Sequence, residues 1–487
     1  MKNFKSLFTV FLTCVIVLLC GFFNENGAEA AQNTIRLGGS DRFDTSVKIA
    51  DYGWKNSTNV VIADAQGNDA FADATAGTSL AYYLNCPILL TDIESTPDVV
   101  KNEIKNLGAK NVYIMGGTGV ISASQENSFK SEGYNVTRIA GTDRFDTACM
   151  AADILNSKSK ISKVYIVPSD KFQYALIAAP YAAREGAAIL FTGSGDKNMR
   201  SYINDRTRSE ISKLGVKDAV VVGSYNVVPY DAVAQLENMG VSCLTIHGTT
   251  PQSVAWNFMD TNKGSGISIS SDSFFADALS SSVLTARYNY NPLLVNTKLR
   301  YTLDDTSKPV LLFGGTGVVS DNLGNYIKDS AMAHDISNDE IYQLFSDSQV
   351  SLEDVMYSVD NKEQLENIIT SDDGTEYVPV PDQYSSYEKI KDVISRYDTD
   401  DYAETQLGYL KNFYGYAFNG KTMSVLGNVG IGFYDLRNVL ESREDVNNTT
   451  IRVSYNSYSS GGSNDYEKMI ATLKFENNRW KISDIGD

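Results

Sequence analysis

A chain of 487 residues with 43% hydrophobic and 11% aromatic side chains has room for about three domains of ordinary size, each with a core of its own. Sixty acidic against 42 basic residues give a formal charge of −18, a balance that disfavours nucleic acid as a partner. The excess is uneven: residues 335–487 hold 28 acidic and 13 basic side chains and residues 31–334 hold 30 and 27, so the main boundary falls near His334 and the nearly neutral front part can still offer arginines to an anionic polymer.

The N-terminus carries Lys2 and Lys5, an apolar run from Leu7 to Phe23, and then Ala28-Glu29-Ala30, the pattern of a secretory signal peptide over residues 1–30. Leu19 before Cys20 argues against lipidation. No second apolar run reaches the roughly 18 residues a spanning helix requires, so no membrane contact is expected after signal cleavage. Cys14 and Cys20 leave with the signal. Cys86, Cys149 and Cys243 remain, odd in number and widely spaced; they draw neither a disulfide framework nor a zinc site and read as small buried hydrophobes. Such sparing use of cysteine in an exported protein fits a Gram-positive bacterium.

Next comes a phrase that the chain writes twice, "GGSDRFDTSVKIA" from Gly38 and "AGTDRFDTACMAA" from Ala140, with Arg36 and Arg138 standing 102 residues apart. Each copy has a consistent sequel: a β-branched run, a Phe-Ala-Asp-Ala or related stretch, a Pro-Ile-Leu-Leu-like run, and a glycine turn. A third set follows, its opening phrase reduced to "IHGTTPQSVAWN". Three modules result, over residues 31–133, 134–240 and 241–334. Short apolar strands alternating with helices imply parallel strands with crossovers, hence an α/β fold with helices on both faces of each sheet.

Tandem copies of R-[IL]-x-G-x-D-R-[FY]-[DE]-T, F-A-D-A, P-[IL]-L-[LV] and G-G-T-G-[VA]-[VI]-S resemble the type 2 cell-wall-binding repeat of clostridial and related surface proteins. The resemblance covers residues 34–330. It implies a pseudo-threefold packing of three parallel-sheet modules and non-covalent attachment to an anionic secondary polymer of the wall.

Within the repeated phrase, Asp41 and Asp143 stand where a helix N-cap accepts orphan backbone N–H groups, with Asp44 as the second member of a capping pair and Phe43 and Val47 toward the core. Capping does not explain Arg42 and Arg144, which sit at the unfavourable end of a helix dipole. Their planar forks call for a carboxylate across a module interface or an anionic group of a ligand. Asp73 and Asp277 fall near helix starts that follow a strand, at the carboxyl edge of a parallel sheet, where open α/β folds bind ligands; a buried interface acid paired with a motif arginine is the other reading. Arg36, Asp41, Arg42, Asp73, Arg138, Asp143, Arg144 and Asp277 are therefore the polymer-binding or module-interface residues. In the second module Tyr174 replaces the acid. The glycines at Gly116 and Gly314 complete no nucleotide-binding pattern and read as tight strand-to-helix turns, and no cofactor or metal is implied.

His247 and His334 are the only histidines, and residues 335–487 contain neither His nor Cys. This excludes Cys-His, Ser-His-Asp and His-ligated zinc hydrolases there; a glycosidase built on paired carboxylates survives the test. Residues 335–373 read as an acidic helical connector. Residues 374–487 read as an α+β domain, helices followed by strands with a terminal hairpin at Glu476-Asn477-Asn478. That domain weakly resembles secreted inhibitors of wall endopeptidases and NTF2-like or cystatin-like domains. The sequence thus describes an exported, non-enzymatic surface protein displaying an acidic domain, which would attract a basic secreted wall protein. The alternatives are an anchored inhibitor of wall peptidases and a carboxylate-dependent wall hydrolase.

Overall fold

The structure, a computed structural model, describes residues 34–66, 71–193, 203–224, 227–228, 230–303, 305–329, 336–357, 368–370, 372, 374–411, 416–418, 421–425, 440–447, 449–458, 466–477 and 479–486. The signal-peptide segment lies outside them. Among the described residues no helix is long and apolar enough to cross a membrane.

The first repeat runs β1 (Thr34–Leu37), α1 (Arg42–Gly53), β2 (Asn59–Asp64), α2 (Phe71–Ala76), α3 (Thr78–Tyr83), β3 (Ile88–Thr91), α4 (Asp98–Asn106), β4 (Asn111–Met115) and α5 (Ala123–Ser131). The second has β5 (Asn135–Ile139), α6 (Arg144–Lys158), β6 (Lys163–Pro168), α7 (Phe172–Arg184), β7 (Ala188–Thr192), α8 (Asp205–Leu214), β8 (Asp218–Val222) and α9 (Tyr230–Asn238). The third has β9 (Ser242–Ile246), α10 (Pro251–Thr261), β10 (Gly266–Ser271), α11 (Phe275–Arg287), β11 (Tyr290–Val295), β12 (Tyr301–Leu303), β13 (Val310–Phe313) and β14 (Ile327–Asp329).

Strands such as β3 and β7 are buried along their whole length, as expected of parallel strands covered on both faces. Three four-stranded parallel sheets form, in the orders β3-β2-β4-β5, β7-β6-β8-β9 and β11-β10-β13-β1. The fourth strand of each sheet is the opening strand of the next repeat. The ring closes where Thr34–Leu37 pairs with Val310–Phe313. Sequence repeat and sheet are thus offset by one strand, and no module separates without breaking a ladder on each side.

Phe71, Phe172 and Phe275, the first residues of the three equivalent helix starts, meet at the pseudo-threefold centre, with ring centroids 6.0 and 6.2 Å apart. Small side chains let α3, α7 and α11 approach one another here. The buried hydroxyls of Ser280, Ser281 and Ser282 bond carbonyls three or four residues back on α11, so burying them leaves no orphan donor. Cys86, Cys149 and Cys243 are buried free thiols, and burial pushes the Cys149 thiol up to about 12.

Glycine is required at the carboxyl edge of each sheet, directly after β4, β8 and β13. Gly116, Gly223 and Gly314 have φ of +100°, +111° and +98°, and a β-carbon on Gly116 would stand 2.8 Å from Asp73 Oδ2. Gly116→Ala is expected to lower stability by roughly 2–3 kcal/mol, read as a drop in melting temperature.

The C-terminal part is α+β. Helix α12 (Asn338–Tyr357) precedes β15 (Ile369–Thr370), β16 (Glu376–Pro379), α13 (Tyr387–Ile394), α14 (Asp400–Lys411), β17 (Tyr416–Phe418), β18 (Lys421–Val425), β19 (Leu440–Asn447), β20 (Thr450–Tyr458), β21 (Tyr466–Glu476) and β22 (Arg479–Gly486). Strands β19 to β22 form an antiparallel meander whose last hairpin pairs Glu476 with Arg479, and Asn477 takes the φ of +52° such a tight turn demands. Ile341, Leu344 and Phe345 of α12 enter the core of this sheet, while Val355 enters a second core with α13 and α14. An acidic helical connector is the expectation for this segment, and α12 supplies its helix. Two of its acids, Asp347 and Asp354, are buried.

Candidate functional site

The repeated phrase builds the junctions between modules. Asp41 caps α1 by accepting from the Asp44 amide (2.8 Å), and Asp44 reaches back to accept from Ser40 N (2.8 Å). Asp143 and Asp146 repeat the arrangement with the amides of Asp146 (2.8 Å) and Thr142 (3.1 Å). Phe43 and Val47 pack against the core. The backbone hydrogen bond from Ser40 holds the Asp44 carboxyl below its ordinary value. Asp143→Ala is expected to cost about 1 kcal/mol, visible in the melting temperature and absent from wall binding.

Arg36 and Arg138 tie each opening strand to the glycine turn of the sheet it completes. Arg36 donates to the carbonyls of Gly314 (2.7 Å) and Val319 (2.8 Å) and pairs with Asp321 (2.7 Å). Arg138 donates to Gly116 O (2.8 Å) and pairs with Glu126 (2.6 Å). Their geometry is that of module-interface residues.

Arg42 and Arg144 lie at the carboxyl edges of the sheets. Arg42 Nη1 donates to the Ala65 carbonyl at the end of β2, and Arg144 Nη1 to the Ser169 carbonyl at the end of β6, each at 2.5 Å. Arg42 is otherwise exposed. The two acids belong to neighbouring modules, Asp277 to the third and Asp73 to the first, and lie against the glycine turns at Gly314 and Gly116. Burial pushes the Asp277 carboxyl up to about 6 and the Arg42 guanidinium pulls against that rise. Burial likewise raises Asp73, opposed by the Thr147 hydroxyl and by Arg144. Arg42 thus acts electrostatically on Asp277, and Arg144 on Asp73, across two junctions of the ring. The structure leaves Asp41 and Asp143 on the outer face as caps.

The third junction is built differently. Tyr174, in the place of Asp73 and Asp277, donates its hydroxyl to the Thr249 carbonyl (3.0 Å), and Pro251 stands where the other repeats have arginine. The acid and the arginine have gone together. Thr250 and Ser253 retain the cap as a reciprocal capping box.

Over residues 36–126, 138–233 and 246–323, more than half of its length, the chain matches cell wall binding domain 2 (CWB2). The chain belongs to the CWB2 family. Its CWB2 repeats are shared with the N-acetylmuramoyl-L-alanine amidase LytC of Bacillus subtilis, 30% identical over 63% of this chain and 60% of that protein. They are also shared with the amidase enhancer of Bacillus subtilis, 33% identical over 35% of this chain and 23% of that protein. The chain thus spans less than two thirds of either relative, and the similarity lies in the CWB2 repeats. Two solved structures, Cwp8 and Cwp6 from Clostridium difficile, have a similar fold, each at 21% identity. Cwp8 gives a TM-score of 0.51 over 60% of this chain and 51% of that one, and Cwp6 gives 0.54 over 67% and 57%. The CWB2 repeats make this a protein of the cell-wall surface.

Proposed function

We propose that the chain is held non-covalently on an anionic secondary polymer of the wall through its Arg42–Asp277 and Arg144–Asp73 clefts, and that it displays a non-catalytic C-terminal domain. The observation that carries this reading is the Arg42 side chain. One N–H is pinned on a carbonyl at the carboxyl edge of a parallel sheet while the residue is exposed, and a planar fork so placed suits a carboxylate or phosphate. Repetition of the cleft adds avidity without any tight single site. Residues 335–487 contain no His or Cys, which supports a display role. Their 28 acidic against 13 basic side chains favour a basic secreted wall protein as partner and disfavour approach to an anionic wall substrate.

The test is sedimentation of the mature chain with intact walls and with walls stripped of secondary polymer, over a salt series. Binding to intact walls alone, weakening as salt rises, is expected; equal binding to stripped walls refutes the ligand class. A zymogram of the same chain is expected to show no cleared band, and clearing would establish a hydrolase.

A further inference from the structure

The third copy of the repeated phrase departs from the other two at particular positions, and the C-terminal part of the chain meets these departures. Repeats 1 and 2 place a carboxylate, Asp44 or Asp146, on the amide of the residue just before the cap, Ser40 or Thr142. Ser253 stands at that position in the third repeat and is too short to serve. The equivalent amide, Thr249 N, is instead bonded by Asp347 Oδ1 (3.1 Å), a carboxylate 98 residues downstream on α12. Asp347 Oδ1 also accepts from the Thr249 hydroxyl (2.7 Å), which in turn accepts from Gln343 Nε2 (2.8 Å).

Neighbouring positions follow the same rule. Where the first two repeats have Gly38 and Ala140, the third has His247, whose Nδ1 lies 2.5 Å from Asp354 Oδ2 of α12, both groups buried. Where they have Arg36 and Arg138, it has Thr245, whose amide donates to Gln383 Oε1 (3.1 Å). Where α1 and α6 have Val47 and Cys149, α10 has Trp256, over which the Arg479 guanidinium sits 4.6 Å from the ring centroid. The following residue, Asn257, donates to the Tyr397 hydroxyl (2.7 Å).

We propose that the third inter-module junction is a docking socket for the chain's own acidic helix α12, with Asp347 standing in for the missing capping carboxylate, and that the chain consequently offers two polymer sites and not three. The number of polymer sites rests on the function proposed above; the socket does not. The socket fixes the C-terminal domain against one junction of the anchor, so the displayed domain takes a single orientation on the wall.

Hydrogen exchange on the mature chain tests this. Asp347→Ala is expected to speed exchange of the Thr249 amide by at least about tenfold and to leave the Ser40 and Thr142 amides unchanged, with wall sedimentation unaltered. Adding Ser253→Asp to Asp347→Ala returns a carboxylate within the repeat and is expected to restore protection. Should Asp347→Ala not fold, Asp347→Asn, which keeps one acceptor oxygen, is expected to give the same pattern with smaller amplitude. Undiminished Thr249 protection in these variants, or failure of Ser253→Asp to restore it, overturns the socket. A loss of wall binding on Asp347→Ala with the fold intact overturns the two-site count. Failure of the unaltered chain to bind walls refutes the proposed function and leaves the exchange result standing.

Discussion

The double variant Arg42→Ala/Arg144→Ala is expected to lose wall binding by at least about 100-fold in apparent affinity, because two clefts on one polymer multiply through avidity and both vanish together. Each single variant is expected to retain a weak interaction. Alanine alone leaves an ambiguity, since removing Arg42 also strips Asp277 of the positive charge that opposes its burial. Lysine resolves it. Arg42→Lys/Arg144→Lys keeps a cation beside Asp277 and Asp73 and removes the planar two-pronged donor. Lost wall binding with little change in melting temperature would place the fork on the polymer. A large fall in melting temperature with binding retained per folded molecule would make the arginines structural and refute the cleft.

Much of the anchor was legible because its signals are local. The β-branched runs at Val60–Ile62 and Ile88–Leu90 and the helical stretches between them follow from periodicity, and the cap at Asp41 and Asp44 follows from residue type at a fixed spacing. Asp73 and Asp277 could be placed at a sheet edge because they open a helix directly after a strand. Strand exchange was not legible: Thr34–Leu37 reads as a strand whichever sheet receives it, and its partner Val310–Phe313 lies at the far end of the anchor. Nor was the purpose of "IHGTTPQSVAWN", which looks like erosion when each repeat is compared with its neighbours alone. Its missing carboxylate is Asp347, in a helix that the sequence marks only as acidic. Nothing local distinguishes an acid that will be buried against a distant amide from one that stays wet. The available signal was the joint loss of Asp at the Tyr174 position and Arg at the Pro251 position, two changes that make sense only as partners across one junction.

Stability is expected to fall as pH rises from about 4 to 7, the reverse of what a protein with many surface ion pairs shows. Burial raises the carboxyls of Asp64, Asp73 and Asp347. It brings Asp277 to about 6 and Asp398 to about 7. A carboxyl whose folded value lies above its unfolded one binds its proton more tightly in the native state, so the stability it contributes is present below the unfolded value and is lost as pH climbs through the folded one. Asp398 is the sharpest case. It is buried in the C-terminal domain, accepts from the Ser348 hydroxyl (2.7 Å), and has Lys481 near enough to offset part of the cost. At about 1.4 kcal/mol per pH unit, ionising it at neutral pH costs on the order of 4 kcal/mol as an upper bound. Asp398→Asn keeps an acceptor for Ser348 and removes the titration, so it should raise the melting temperature at pH 7 and leave it nearly unchanged at pH 4. Falling net charge on acidification also relieves repulsion across a chain of charge −18, but that effect is common to both proteins and cancels in their difference. Calorimetry of the two at pH 4, 5.5 and 7 decides the matter: a difference that grows with pH supports the buried acid, and a difference independent of pH refutes it.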